Sequence, residues 1–239
     1  MEKLYAPLSS ALSLFTSLDA LPSPQELNQI LSVPGITFVP QGPKSDDLSD
    51  GYEQRIYLRG EVQTRDQSWH DFFNALVWRQ FTQTKKLINQ LQFQLQQQRF
   101  PAKQRLPAEN MLTLFDENGA LVIARDPQLL ELICEHRWHE LFWERREQVK
   151  SDLRVIIFGH GLYEKALQPY VGLTAQSLFF VEQDTLSVDA QVSTFLSEKN
   201  FELRTSDLHP LPILGLPGWW PDNNNEVFYR NADYFRPKP

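Results

Sequence analysis

The chain has 239 residues, of which 41% are hydrophobic and 22% charged, and its formal net charge is −7. This balance is typical of a globular protein that buries a sizeable core. The acidic charge disfavours non-specific nucleic-acid binding, which usually requires a basic surface, so we expect no nucleic-acid partner. The single cysteine, Cys134, excludes an intramolecular disulfide and a cysteine-rich zinc site.

The sequence carries no pattern that indicates export or membrane insertion. Met1–Tyr5 lacks the basic and apolar segments of a signal peptide. No stretch approaches the roughly 18 apolar residues of a membrane span. We therefore expect a cytoplasmic protein without a membrane-spanning segment. The length suits one large domain or two small ones. We expect a single domain over residues 1–239, with a less regular N-terminal segment at 1–50 and the main core at 52–239.

In the first part of the chain, helix signals alternate with extended segments. Ser23 is a suitable N-cap, Pro24 suits the first helical position, and Glu26 is placed to bond back to the cap. This pattern predicts a helix that runs to about Val33. The remaining expectations are a short helix at Leu8–Leu18, a short strand at Ile36–Val39, a mobile polar loop at Pro40–Gly51 and an extended segment at Tyr52–Thr64.

A long amphipathic helix from Trp69 to about Gln98 is the most regular pattern, with a break near Thr82. Ser68 suits its N-cap. Its apolar stripe contains Trp69, Phe73, Leu76, Val77, Leu87, Leu91 and Leu95. His70 and Asn74 lie four residues apart at the margin of this stripe. They form a polar pair that local structure does not explain.

Residues 111–124 give the clearest β signal. Two apolar runs flank Asp116-Glu117-Asn118-Gly119, and Asn-Gly between apolar runs is a strong hairpin signal. Asp116 and Glu117 are interpreted there as turn residues. Asp126-Pro127 then predicts a helix to about Val149, with Asp126 as its N-cap.

The last third of the chain alternates strand and helix patterns. Short helices are predicted at Gly159–Gln168 and Asp184–Glu198, and the chain from Leu208 onward is irregular. Leu153–Phe158 and Ala175–Val181 each fit either a strand or a helix. Together the elements predict an α+β fold. It is mainly helical, with a small antiparallel sheet that includes a hairpin near 111–124 and an irregular C-terminal arm.

Three segments together resemble a known family: Trp69–Trp78, Phe158–Lys165 and Leu214–Asn223, supported by Leu112–Val122. From about Tyr52 to the C-terminus the chain is similar to the bacterial proteins that share domain of unknown function 3025. That family has no established activity, so the resemblance implies a natural folded unit and names no reaction. The chain differs from the family pattern at Thr82, where the family has Pro. It also differs at Gly161, where the family has Ala, and a glycine there weakens a helix by about 1 kcal/mol.

A histidine precedes a polar side chain by four residues at three places, His70–Asn74, His136–Glu140 and His160–Glu164. At this spacing two side chains share one helix face, which suits a metal site or a general base with its orienting acid. The dense charges around the second pair favour an ion-paired, solvated face instead.

One hypothesis is a metal-assisted hydrolase or a related small-substrate enzyme. Its candidate catalytic residues are His70, His160, Glu164 and Asp222, and its candidate ligands for a divalent metal are His70, His160 and Glu164. Candidate binding residues are Asn74, Tyr163, Trp219, Trp220 and Asn223. This mixture of nitrogen and oxygen donors does not select one metal.

The alternative, which we favour from the sequence, is a binding or interaction protein. In it the same His, Glu and Asn side chains form a cluster of structural or ligand-binding character, and the partner is an unknown small molecule or protein. No pattern indicates the oligomeric state. The distances among these residues decide between the two hypotheses.

Overall fold

The computed structural model describes residues 2–43, 50–182 and 186–238. Part of the predicted loop Pro40–Gly51 and the predicted helix start at Asp184 lie outside these residues. The α+β class is confirmed, with 56% helix and 14% strand. Among the described residues, no helix has both the length and the apolar character that a membrane span requires.

The elements follow in chain order. The α-helices are α1 (Glu2–Tyr5), α2 (Ser9–Leu12), α3 (Pro24–Leu31), α4 (Tyr52–Arg59), α5 (Trp69–Gln80), α6 (Thr82–Arg99), α7 (Pro107–Asn118), α8 (Pro127–Cys134), α9 (Arg146–Asp152), α10 (His160–Lys165) and α11 (Val188–Lys199). The strands are β1 (Thr37–Pro40), β2 (Glu61–Thr64), β3 (Gly119–Ala124), β4 (Leu153–Ile157), β5 (Thr174–Val181) and β6 (His209–Pro212).

The described residues form two compact units. The sheet unit comprises residues 2–7, 117–182 and 206–238. The helical unit comprises residues 8–43, 50–116 and 186–205. The expectation of a single domain over 1–239 stays a prediction.

The N-terminal part of the helical unit follows its local signals closely. Ser23 caps α3, and Glu26 reaches back to the backbone N–H of Ser23 at 2.8 Å, which completes the predicted capping box. The predicted strand is present as β1. The helix expected at Leu8–Leu18 is shorter than predicted, because α2 covers only Ser9–Leu12.

The long amphipathic helix is present with its predicted break. Phe81 separates α5 from α6 with φ −125, outside the helical range. Just after it, the Thr82 hydroxyl donates to the Trp78 carbonyl at 2.8 Å. Ser68 caps α5 by accepting from the backbone N–H of Asp71 at 3.3 Å. Most of the predicted stripe is buried across both helices, but Trp69 is 36% exposed and Leu87 is only half-buried.

The segment Tyr52–Thr64 is not extended throughout, because α4 occupies its first eight residues. Gly60 ends α4 in the left-handed region, at φ +71, and a Cβ there would lie 2.5 Å from the carbonyl oxygen of Gly35. The chain continues from Gly60 into β2, which pairs with β1 in parallel. Ile56 is the only fully buried residue of α4, so its apolar periodicity is weak.

The sheet unit contains a four-stranded sheet in the order β4-β3-β5-β6. β3 is buried at all six positions and pairs antiparallel with β4 but parallel with β5. The two ambiguous apolar runs are thus strands β4 and β5. The sheet that was expected to be antiparallel is mixed, because β3–β4 and β5–β6 are antiparallel and β3–β5 is parallel; β1 and β2 form a separate parallel pair.

The predicted hairpin near 111–124 is also wrong. Residues 107–118 form α7, and only residues 119–124 are a strand. The buried apolar residues before Gly119 recur at spacings of three and four, which is the helical period: Ala108, Met111, Leu112 and Phe115. Asn118-Gly119 therefore marks a change from helix to strand and not a reversal between two strands.

The helix expected from Asp126 to Val149 is interrupted. α8 ends at Cys134, His136 adopts φ +52, and a π-helical turn spans Glu140–Glu144 before α9 begins. His136 and Glu140 therefore do not share a helix face. The His136 ring lies 3.2 Å from the Arg236 carbonyl, whereas Glu140 pairs with Arg137 and Arg145.

The C-terminal arm is largely irregular, as predicted, although it starts with β6. After β6 it runs through 3-10 turns at Ile213–Gly215, Pro221–Asn224 and Glu226–Arg230. These turns bury large side chains against the sheet unit, among them Leu214, Leu216 and Tyr229. The arm is therefore an integral part of the core of this unit.

Candidate functional site

The sheet unit buries one histidine beside a carboxylate. His160 is the first residue of α10 and is only 4% exposed. Its Nε2 lies 3.5 Å from Oε1 of Glu117, whose side chain is 39% exposed. We refer to these two residues as the His–Glu pair. An imidazole next to a carboxylate can bind a divalent cation or hold a proton for transfer.

Two glycines explain why the His–Glu pair is so close. A Cβ on Gly159 would overlap the backbone of Asn118 and Gly119. A Cβ on Gly161 would lie 2.8 Å from Oε2 of Glu117. The absence of both side chains lets the start of α10 lie directly against the end of α7. The missing side chain of Gly161 thus makes room for the carboxylate.

Further hydrogen bonds hold the same two segments together. The backbone N–H groups of Phe158 and Gly159 both donate to the Gly119 carbonyl, at 3.0 and 2.9 Å. One turn further along α10, Lys165 Nζ donates to Asn118 Oδ1 at 2.6 Å. Two motifs that are remote in sequence, residues 116–119 and 158–165, therefore combine into one structure around the His–Glu pair.

The other candidates on α10 have different environments. Glu164 is half-buried, and the acidic neighbour found for His160 is Glu117, on a different helix. Tyr163 is fully buried, and its hydroxyl donates to the Ile157 carbonyl at 2.6 Å. Burial raises the pKa of the Tyr163 phenol well above its usual value. Its hydroxyl therefore forms a hydrogen bond within the core of the sheet unit.

The candidates of the C-terminal arm bind mainly within the arm. Asn223 is fully buried, and its Nδ2 donates to the carbonyls of Leu214 and Leu216 at 2.8 and 2.7 Å. Trp220 Nε1 donates to Asp222 Oδ2 at 3.2 Å, and Asp222 is exposed. Trp219 is 7% exposed and belongs to the core. These contacts account for the arm's stability.

The helical unit contains a second polar region, formed by four helices. Asn74, 6% exposed, donates from Nδ2 to the Tyr52 hydroxyl at 3.1 Å. Asn89 donates from Nδ2 to Glu53 Oε2 at 2.7 Å and to the Glu53 carbonyl at 2.9 Å. We refer to the following six residues as the α4–α7 cluster: Tyr52, Glu53, Asn74, Lys85, Asn89 and Asp116.

A buried ion pair joins two helices of the α4–α7 cluster. Lys85 is 3% exposed, and its Nζ donates to both carboxylate oxygens of Asp116, at 2.6 and 2.8 Å. The same ammonium lies 5.2 Å from the centre of the Trp78 ring. The pair combines two charge-assisted hydrogen bonds with a cation–π contact in a largely dry environment.

Burial changes the proton affinity of the cluster. The pKa of Glu53 is raised to about 7, mainly by desolvation; the Asp116 carboxylate adds to the rise, and the hydrogen bond from Asn89 and the charges of Lys85 and Arg105 oppose it. Desolvation likewise raises the pKa of Tyr52. A carboxyl group that titrates near neutral pH inside a polar cluster is typical of binding and catalytic sites.

His70 lies one helical turn before Asn74 on α5 and is half-buried. It belongs to the helical unit, whereas His160, Glu164 and Asp222 belong to the sheet unit. The four candidate catalytic residues are thus divided between the two units. Their assembly into one site stays a prediction.

A family model described as "Protein of unknown function (DUF3025)" matches residues 36–239. The chain belongs to the DUF3025 family. The matched region contains every residue of the His–Glu pair and of the α4–α7 cluster, and it begins after α3. No curated protein and no solved structure matches the chain.

Several residues of the His–Glu pair and of the α4–α7 cluster were absent from the candidates that the sequence suggested. They are Tyr52, Glu53, Lys85, Asn89, Asp116 and Glu117. The hairpin interpretation of residues 111–124 makes Glu117 a turn residue, and the extended interpretation of Tyr52–Thr64 gives no reason to select Glu53. The joint occurrence of residues 116–119 with the Gly159-His160-Gly161 motif is the signal that could have identified Glu117.

Proposed function

We propose that this DUF3025 protein is a ligand-binding protein, and that its sheet unit binds a divalent transition-metal ion through His160 and Glu117. The observation that supports the proposal is the 3.5 Å separation of Nε2 and Oε1. That distance exceeds a good N–H···O hydrogen bond. It is close to the ~3.4 Å that separates two donors of a tetrahedral zinc ion with bonds of about 2.1 Å.

The donor types support an ion of intermediate hardness. Imidazole nitrogen suits zinc and similar transition metals, and carboxylate oxygen is a common second ligand of such ions. In this proposal Glu117 takes the role that the sequence analysis gave to Glu164. Water fills the remaining positions, as in metal sites that keep an open coordination position.

Zinc titration tests the proposal. Metal-stripped protein is titrated with ZnCl₂ in a calorimeter, and we expect one ion per chain. His160→Ala and Glu117→Gln each remove one donor, so each should weaken binding at least tenfold. Glu117→Gln keeps the side-chain shape and thus separates loss of a ligand from loss of structure.

His139 supplies a matched control, because it is also a histidine with acidic neighbours. Its Nδ1 lies 3.2 Å from Glu144 and its Nε2 3.0 Å from Glu226, so the two carboxylates meet opposite sides of the ring. They cannot converge with the ring on one ion. His139→Ala should leave zinc binding unchanged. Zinc binding that survives His160→Ala would contradict the proposal.

A second candidate function is metal-assisted hydrolysis, favoured by the same buried imidazole–carboxylate arrangement. A zinc ion held there with an open position would lower the pKa of bound water to about 7 and so supply a hydroxide nucleophile near neutral pH. The test compares zinc-loaded wild type with Glu117→Gln on p-nitrophenyl acetate and bis(p-nitrophenyl) phosphate. A metal-dependent rate that falls in the variant supports an enzyme, and equal background rates support binding alone.

We also propose that the protein acts in the bacterial cytoplasm. The family resemblance supports a bacterial source. The single cysteine supports a reducing compartment, because disulfide-stabilised proteins are concentrated outside the cytosol. Fractionation of cells that express the tagged protein, followed by immunoblotting, tests this location.

A further inference from the structure

The sheet unit contains a cavity of about 510 Å³ to which neither residue of the His–Glu pair contributes. It lies where β3 and β4, the N-terminal helix α1 and the C-terminal arm come together, and α1 packs against β4. One side is formed by residues 149–155, which lead from the end of α9 into β4. We refer to it as the β4 cavity. Ligand pockets commonly measure roughly 300–1,000 Å³, so this cavity has room for a small organic molecule.

The inner wall of the β4 cavity is apolar. Four of its residues are buried, with no more than 7% of each exposed: Ile123, Val149, Leu216 and Trp219. Covering such a wall with an apolar group removes both surfaces from water, which is favourable in proportion to the area covered. The inner wall therefore favours a ligand with an apolar body.

Two exposed cations border the same cavity. Arg154 lies opposite Ile123 in the β3–β4 register, so the arginine and this wall residue share one face of the sheet. A Cβ on Gly218 would lie 3.0 Å from Lys3 Nζ, so this ammonium lies beside the backbone of the C-terminal arm. Neither Arg154 nor Lys3 forms a side-chain ion pair with any residue that the structure describes. Both are therefore available to an anion that enters from solvent.

Two further cations of the β4 cavity are neutralised by acidic neighbours. Arg125 forms an ion pair with Glu182, which also lines the cavity. Lys150 Nζ donates to Glu147 Oε1 at 2.6 Å. Each pair sums to zero charge, so neither changes the balance of the cavity.

The charged side chains that remain at the cavity are Lys3, Arg154 and Asp152. Asp152 is half-buried and, like the two cations, has no ion pair within the described ranges. Two positive charges and one negative give the cavity a net charge of +1, whereas the whole chain carries −7. This local excess of one positive charge is matched by a ligand with a single negative charge.

We propose that the β4 cavity binds a small monocarboxylic acid with an apolar body. The carboxylate of the ligand accepts hydrogen bonds from Arg154 and Lys3 at the rim. The guanidinium group offers paired N–H donors whose geometry suits a carboxylate. The body of the ligand covers the apolar inner wall.

Other ligand classes fit the β4 cavity less well. A phosphate monoester carries up to two negative charges, which exceeds the positive excess, and the Asp152 carboxylate repels the second charge. A cationic ligand is repelled by Arg154 and Lys3. The carboxylate site is independent of the proposed zinc site, because it uses none of its donors.

The test uses 3-phenylpropionate as the probe and assigned ¹H–¹⁵N spectra of the full chain as the readout. The protein is stripped of metal and kept in EDTA, so that the carboxylate cannot bind through zinc. We expect saturable shifts of the backbone amide signals of Ile123, Arg154 and Leu216, which belong to three sides of the cavity.

Two substitutions should change the affinity in opposite directions. Arg154→Gln removes a charged donor and should weaken binding at least tenfold. Asp152→Asn removes the charge that repels the ligand and should tighten binding at least threefold. Damage to the fold would weaken binding in both variants, so the gain in Asp152→Asn distinguishes a charge effect from a structural one.

Matched controls make the test specific. Arg230→Gln removes an exposed arginine of the same unit that pairs with Glu226 and does not line the cavity, so we expect wild-type binding. 3-Phenylpropanamide lacks the negative charge and acetate lacks the apolar body, and each should bind at least tenfold more weakly than the probe. Absence of a saturable shift, equal binding of either comparison compound, or wild-type affinity in Arg154→Gln would overturn the proposal.

Discussion

The carboxylate of Glu117 lies 3.5 Å from the imidazole of His160, and the missing side chain of Gly161 makes this possible. The two residues are far apart in sequence, at the end of α7 and the start of α10. The distance between Nε2 and Oε1 is closer to the separation of two ligands of one metal ion than to the length of a good N–H···O hydrogen bond. Gly161 lowers the helix propensity of α10 locally, and its missing side chain makes room for the Glu117 carboxylate.

Gly161→Ala should damage the site although alanine favours helix formation. The new Cβ would lie 2.8 Å from Oε2 and 2.9 Å from the carbonyl oxygen of Glu117, so Glu117 must move. We expect at least a tenfold loss of zinc affinity by calorimetry. We also expect a loss of about 1–3 kcal/mol in the free energy of unfolding, as overpacking usually causes. Gly42→Ala is the control, since nothing lies within 4 Å of its added Cβ.

Stability should fall with rising pH because of Glu53. Its pKa in the folded chain, about 7, is above its ordinary value of 4.5, so the folded state binds this proton more tightly than the unfolded state. The resulting stabilisation is complete below pH 4.5 and is lost as the pH rises through 7. The groups that set this pKa are Asp116, Lys85 and Arg105, together with Asn89.

Urea unfolding at several pH values checks this prediction. Relative to Glu53→Gln, which mimics the protonated side chain, wild type should lose roughly 1–3 kcal/mol between pH 5 and pH 8. Parallel stability curves for the two proteins would show that Glu53 does not titrate in this range.

Asn223→Ala should destabilise the sheet unit strongly. The substitution removes the amide that binds the carbonyls of Leu214 and Leu216 in a fully buried position. Leaving buried carbonyls unpaired costs about 1–3 kcal/mol. Asn224→Ala is the neighbouring control, because Asn224 is exposed, and we expect a change within about 0.5 kcal/mol. Thermal unfolding of both variants measures the difference.

Lys85→Met should be costly, because it leaves the Asp116 carboxylate without the ammonium that binds both of its oxygens. Breaking a buried pair on one side costs about 3–5 kcal/mol. The double variant Lys85→Met with Asp116→Leu should recover part of this loss, since neither charge remains. Lys86→Met, at an exposed position, controls for the loss of a lysine. Equal stability of the single and double variants would contradict this account of the pair.

Elements with strong local signals could be predicted from the sequence. The capping box of α3, the break between α5 and α6 and the apolar stripe of both helices depend on neighbouring residues only. The α+β class was predicted from these helices together with the apolar run before Asp126, which is strand β3 although the hairpin assigned to it is wrong. The family was recognised because motifs on α5, on α10 and in the C-terminal arm occur together.

Elements whose local signal fits two structures could not be assigned. Asn118-Gly119 ends a helix here, although the same dipeptide favours a hairpin when apolar runs flank it. α4 exposes most of its residues and so lacks a clear period. Partners such as Glu117 for His160, or Glu53 for Asn89, depend on tertiary packing that brings distant residues together. Local patterns carry no information about such pairs.

The central claim is that His160 and Glu117 bind one metal ion. Anomalous diffraction from a zinc-loaded crystal, collected at the zinc edge, tests it most directly. We predict a peak about 2.0–2.2 Å from both Nε2 of His160 and a carboxylate oxygen of Glu117. A zinc-saturated crystal with no peak between His160 and Glu117 would contradict the claim.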